Sequence, residues 1–190
     1  MQRSRGARPR NIRFLFLVGY MGAGKTSVGR ILAQRLGWTF CDLDERIEAQ
    51  QNCTIAEVFR RFGEKEFRDL EAVELARLIQ ELRTSNGAVV ALGGGTILRD
   101  ENQAQITNQP GVLIFLDAPI EELWARAKSG GRERPLAGTK NQFQQLYESR
   151  RQRYMEADLQ VSTSGKRVDE VAEQIAAELE LDTHSRGEGK

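Results

Sequence analysis

Residues 19–26 read Gly-Tyr-Met-Gly-Ala-Gly-Lys-Thr, a spacing suited to holding phosphate groups. Glycines at 19, 22 and 24 let the backbone turn tightly, so that successive N–H groups converge on phosphate oxygens. An apolar run, Phe14–Val18, precedes the segment and a helical pattern follows it. The N-terminus of that helix would add its partial positive charge. In a loop of the form G-x-x-x-x-G-K-[ST], the lysine reaches the β- and γ-phosphates and the hydroxyl ligates Mg²⁺. Here those residues are Lys25 and Thr26, and Gly22, Ala23, Gly24 and Ser27 complete the expected ATP cradle. A dinucleotide fingerprint does not fit, because Gly22 and Gly24 are not followed by a third glycine at the required spacing. The pattern specifies a phosphoryl donor, ATP with Mg²⁺, and leaves the acceptor open.

Acceptor chemistry has to come from elsewhere in the chain. Asp42 and Asp44 stand at the end of a second apolar run, Thr39–Leu43. Two residues apart on an extended segment, they would point the same way, into the crevice beyond the strand ends where the phosphate loop also lies. One would hold magnesium through water, while the other would orient an acceptor hydroxyl or take its proton. The competing role for Asp44 is to cap a following helix. Over Glu64–Arg83, the helical period places Phe67, Leu75, Leu78, Ile79 and Leu82 on one apolar arc, and Arg68 and Glu71 fall inside it. Charges there are costly unless paired or used on a ligand. Glu71, three residues on, could orient Arg68 so that its planar fork meets a carboxylate or phosphate. A structural ion pair is the alternative. Arg150 falls likewise among Phe143, Leu146, Tyr147 and Tyr154 on a helix over Gln142–Met155, where packing through its stem is the other reading. Gly93, Gly94 and Gly95 follow a third apolar run, and glycines there let a ligand approach the backbone closely.

These residues need a frame. Apolar runs at Phe14–Val18, Thr39–Leu43, Ala88–Leu92, Val112–Leu116 and Leu159–Val161 read as strands without strict alternation, as expected of strands buried on both faces. Helical patterns lie at Thr26–Leu36, Ile55–Phe62, Glu64–Arg83, Ile120–Ala127, Gln142–Met155 and Val168–Leu179. The alternation predicts an α/β domain with a mainly parallel sheet covered on both sides. Residues 128–140 carry three glycines, a proline and four basic side chains between two helices. Such a long, glycine-hinged connection suits a lid, or else a solvated surface loop. Residues 1–12 are expected to be a disordered basic lead-in, 13–181 one domain, and 182–190 a flexible tail.

Composition narrows the class. The 190 residues hold 28 Lys and Arg against 27 Asp and Glu, and a net charge of +1 argues against a nucleic-acid binder. No run is long enough to span a bilayer. Five arginines before the first strand mimic the basic start of a secretory signal, but the apolar run stops after five residues at Gly19. Two cysteines without a CxxC pair suit a reduced compartment and no structural zinc site. A cytoplasmic protein is expected, most simply a monomer.

Taken in order, GYMGAGKT at 19–26, DLD at 42–44, EFRDLE at 66–71, GGG at 93–95, RPL at 134–136 and Arg150-x-x-x-Tyr154 resemble the shikimate kinase family over about Phe14 to Leu179. That family transfers the γ-phosphoryl group of ATP to the 3-hydroxyl of shikimate, on the route to chorismate and the aromatic amino acids. The resemblance implies a three-layer P-loop kinase fold, with a five-stranded parallel sheet of order 2-3-1-4-5, a lid and a substrate-binding subdomain. It implies Asp42 in the outer shell of magnesium, Asp44 as the acceptor-binding base, and Arg68 and Arg150 as a carboxylate clamp. The Gly93–Gly95 backbone would border shikimate, and Arg134 in the lid would close on ATP. Arg126, with Lys166 or Arg167, would wall the adenine side. Ala137 stands where the family often has a second leucine, a difference expected to touch lid packing more than chemistry. Another small-metabolite kinase, such as one acting on gluconate, and a silent nucleotide-binding regulator are the competing functions.

Overall fold

Five short apolar segments pair as parallel strands in the computed structural model, which describes residues 11–129 and 138–182. They are β1 (Phe14–Val18), β2 (Thr39–Asp42), β3 (Ala88–Ala91), β4 (Gly111–Asp117) and β5 (Leu159–Ser162), and the sheet order is β2-β3-β1-β4-β5. β1 lies at the centre, with Phe14 opposite Ala88 on one side and Gly111 on the other. All five of its residues are buried. Successive side chains point to opposite faces, so both faces of the sheet must be covered. Parallel pairing turns every strand's carboxyl end to the same edge, and the chemistry-bearing loops gather there.

Helices fill the crossovers: α1 (Lys25–Leu36), α2 (Leu43–Gln51), α3 (Ile55–Leu82), α4 (Asp100–Thr107), α5 (Ile120–Ser129), α6 (Lys140–Tyr154) and α7 (Val168–Glu178). A 3₁₀ turn at Thr96–Leu98 precedes α4. α3 starts at a capping box in which Thr54 and Glu57 satisfy each other's free N–H groups. It breaks at Gly63, with φ 82° and ψ 174°, a conformation open essentially to glycine alone. The two helical patterns at Ile55–Phe62 and Glu64–Arg83 are therefore one element with a kink, and Leu75, Leu78 and Ile79 bury its second half.

Two helices carry no clear signal in the sequence. α2 buries only Leu43 and Ile47, and α4 only Asn102 and Ile106, too few anchors to reveal a period. The first of these corrects the reading of the aspartates. β2 ends at Asp42, so Asp44 is not on a strand; it lies in the first turn of α2. Nor does Asp44 cap that helix. Asp42 does, accepting from the backbone N–H of Asp44 at 3.0 Å and of Glu45 at 3.3 Å.

Candidate active site

The loop between β1 and α1 has the geometry that its glycines demand. Gly22 and Gly24 sit at φ 87° and 89°, in the region that favours glycine. A side-chain carbon on Gly22 would also come within 2.5 Å of the Leu123 carbonyl oxygen of α5, so the loop is pressed against that helix. Lys25 Nζ lies over the loop, donating to the carbonyls of Gly19 at 2.9 Å and Tyr20 at 3.3 Å. Ala23 is buried, with its N–H on the Tyr20 carbonyl at 3.2 Å. Thr26 Oγ1 donates to Asp42 Oδ2 at 2.6 Å. Thus Asp42 divides its two oxygens between the start of α2 and the start of α1. Ser27 follows in the first turn of α1 and is exposed.

Across the crevice, each of the three glycines faces different charged side chains. A side-chain carbon on Gly93 would lie 2.5 Å from Glu71 Oε1 and 2.9 Å from Asp44 Oδ1. On Gly94 it would lie 3.4 Å from Arg150 Nη1, and on Gly95 2.5 Å from the Arg68 guanidinium. The bare backbone is what lets an acid and two arginines draw in from α2, α3 and α6. Gly94 also brings the two halves of the site together, since its absent side chain would sit 3.6 Å from the Gly19 carbonyl oxygen of the phosphate loop.

Arg68 is held on both sides, donating to Glu71 Oε2 at 2.9 Å and to Glu64 Oε1 at 3.1 Å. Burial works against its charge, but the two carboxylates outweigh that and hold its pKa above the ordinary guanidinium value. Glu71 is fully buried and accepts from Thr96 Oγ1 at 2.6 Å, and Asn102 Nδ2 donates to the Thr96 carbonyl at 2.9 Å. The ion pair and the approach to the triple glycine are therefore compatible, because Glu71 anchors a guanidinium that still lies against Gly95. Arg150 is held differently. It is 5% exposed, and its Nε has no hydrogen-bond partner among the described residues. A buried, unsatisfied N–H on a cation suits an anionic ligand.

Four residues at the site, Glu64, Thr96, Asn102 and Tyr20, carry no periodic signal in the sequence. Glu64 supplies the second carboxylate on Arg68 but lies on an exposed stretch, where its role has no periodic signature. Thr96 and Asn102 act only through folded-state contacts. Tyr20, inside the phosphate loop, is fully buried and donates to the Phe143 carbonyl of α6 at 2.8 Å. Its ring also stands edge-on to Phe143 and Tyr147. An aromatic side chain within a glycine loop was the one available clue.

Arg126 donates to Glu122 Oε2 at 2.8 Å and Thr163 Oγ1 at 2.9 Å, tying α5 to the loop after β5. Lys166 and Arg167 are exposed beside the start of α7, bonded to Gln174 and Asp169 respectively. Arg134 and residues 130–137 of the expected lid lie outside the described residues.

A family model described as shikimate kinase matches residues 21–180. The chain is similar to the shikimate kinase of Persephonella marina, 37% identical over 88% of this chain and 99% of that protein. It is also similar to that of Synechococcus elongatus, at 40% identity over 87% of this chain and 85% of that protein. Among solved structures, the shikimate kinase from Acinetobacter baumannii in complex with shikimate superposes with a TM-score of 0.80. The identity there is 32%, covering 89% of this chain and 94% of that one. A family-model match over most of the domain, with relatives of this identity aligned nearly end to end, places the chain in the shikimate kinase family.

Proposed function

We propose that the protein transfers the γ-phosphoryl group of ATP to the 3-hydroxyl of shikimate, giving ADP and shikimate 3-phosphate in the route to chorismate. The observation that carries this reading is the triple glycine, bordered by Asp44, Arg150 and Arg68 and set against the phosphate loop. Shikimate is a carboxylate with three hydroxyls, so it calls for a cationic clamp beside a hydroxyl-orienting acid. Arg68 and Arg150 hold the carboxylate, and Asp44 accepts the proton of the 3-hydroxyl as the new O–P bond forms. The bond from Pγ to the bridging oxygen breaks, and its electron pair leaves on ADP. Phosphoryl transfer depends chiefly on positioning and charge neutralisation, which Lys25 supplies on the donor side.

The Thr26 hydroxyl and Asp42 carboxylate, 2.6 Å apart at a helix N-terminus, are hard oxygen donors that fit Mg²⁺. Thr26 would bind it directly and Asp42 through water. Bound there, the ion neutralises charge on the β- and γ-phosphates. Arg134 would act on the transferring phosphoryl group from the lid, whose closure would exclude water and limit wasteful hydrolysis. Arg126, with Lys166 or Arg167, would flank the adenine. Among the described residues, no helix is long and apolar enough to cross a membrane. We place the enzyme in the cytoplasm, acting as a monomer.

A coupled assay of ADP release with shikimate, gluconate and nucleoside monophosphates tests the assignment. Turnover is expected with shikimate alone. Equal turnover with every acceptor, or none with shikimate, would overturn it.

A further inference from the structure

Tyr154 closes α6 four residues after Arg150, so the two side chains share one helical face. Its ring is fully buried and packs at 5.2 Å, centroid to centroid, on Phe115 of β4. The hydroxyl donates to the Gly94 carbonyl, reaching from α6 across to the triple glycine. A side-chain carbon on Gly94 would lie 3.4 Å from Arg150 Nη1 and 3.5 Å from the Tyr154 hydroxyl, so both groups bear on one glycine.

The two clamp arginines differ in what holds them. Arg68 has two carboxylates, whereas Arg150 has an unsatisfied Nε and a neighbouring phenol. We infer that Tyr154 is a positioning residue for the acceptor half of the site, its hydroxyl fixing the Gly94 backbone against the Arg150 guanidinium. The inference rests on the proposed phosphorylation of shikimate. Tyr154 would touch no substrate atom; it would set the distance between the backbone that borders shikimate and the arginine that holds it. Burial pushes its pKa up to about 12, although the Arg150 charge opposes this, so the phenol keeps its donor proton at working pH.

Tyr154→Phe retains the ring and its packing on Phe115 while deleting the hydroxyl. Leaving a buried carbonyl and guanidinium less well held is expected to raise both KM and the calorimetric Kd for shikimate about tenfold. KM for ATP should stay within about twofold, since the phosphate loop keeps its own contacts. Combining the change with Arg150→Lys should cost less than the product of the two single effects, as expected of residues acting through one contact. A shikimate Kd within about twofold of wild type would overturn the inference, as would a parallel rise for both substrates or strictly multiplicative effects. Turnover by the wild-type chain separates the two claims. If wild type phosphorylates shikimate and Tyr154→Phe matches it, only the positioning role falls; if wild type does not, the proposed function falls with it.

Discussion

At Gly95 the Arg68 guanidinium occupies the space where a side chain would begin, 2.5 Å from the position of the missing carbon. The backbone φ of −113° is open to any residue, so the absence of a side chain is a matter of room and not of strain. Gly95→Ala is therefore expected to push Arg68 aside, raising KM for shikimate about tenfold or more with little change in Tm. Steady-state kinetics beside a thermal melt would check it. Arg68→Ala should weaken shikimate binding at least as much and leave KM for ATP near wild type. Asp44→Asn keeps the shape of the acid but not its basicity. It should lower kcat about a hundredfold or more while ATP binding measured by calorimetry persists.

α3 shows how an element places a residue. Its second half carries Arg68 and Glu71, and Glu64, the first residue after the break, pairs with Arg68. The break is Gly63, where a side chain would meet nothing within 4 Å. Any cost of substitution there comes from the φ of 82° alone. Gly63→Ala should destabilise the fold by about 1–3 kcal/mol, read by denaturant melts. It should also raise KM for shikimate, as a straightened helix would carry Glu64 and Arg68 away from Gly95. α2 works at closer range. Its N-terminus, capped by Asp42, turns Asp44 towards Gly93.

At the scale of the molecule, parallel strands bring every one of these loops to one edge, and α6 ties the edge together. Tyr20 joins the phosphate loop to α6, and Tyr154 joins α6 to the triple glycine. Both phenols are buried and burial raises both pKa values, Tyr154 to about 12 from 10.0. With the folded pKa above the unfolded one, the folded state holds more protons between those values. Its stability is fully present below pH 10 and falls as pH rises towards 12. Tm should thus decline over that window, and decline less in Tyr154→Phe.

The phosphate loop was legible because its chemistry is local. Glycine spacing, Lys25, Thr26 and the strand–helix context lie within one stretch of chain, and the structure places that stretch between β1 and α1, with Lys25 folded over the loop. Arg68 and Glu71 were legible because helical period exposes a charge on an apolar face, though not whether it served a ligand or an ion pair. Asp44 reads from the sequence as a strand-end residue but lies on α2, since a helix of nine residues with two buried anchors leaves no period to find. By itself, the sequence determined the phosphate-loop motif, the strand–helix alternation and the residue types that gather around the triple glycine. Only the tertiary structure decided that each of the three glycines would face different charged side chains, Glu71 and Asp44, Arg150, or Arg68. That pairing joins α2, α3 and α6 across the strand ends, and contacts between segments so distant along the chain have no signature in local spacing.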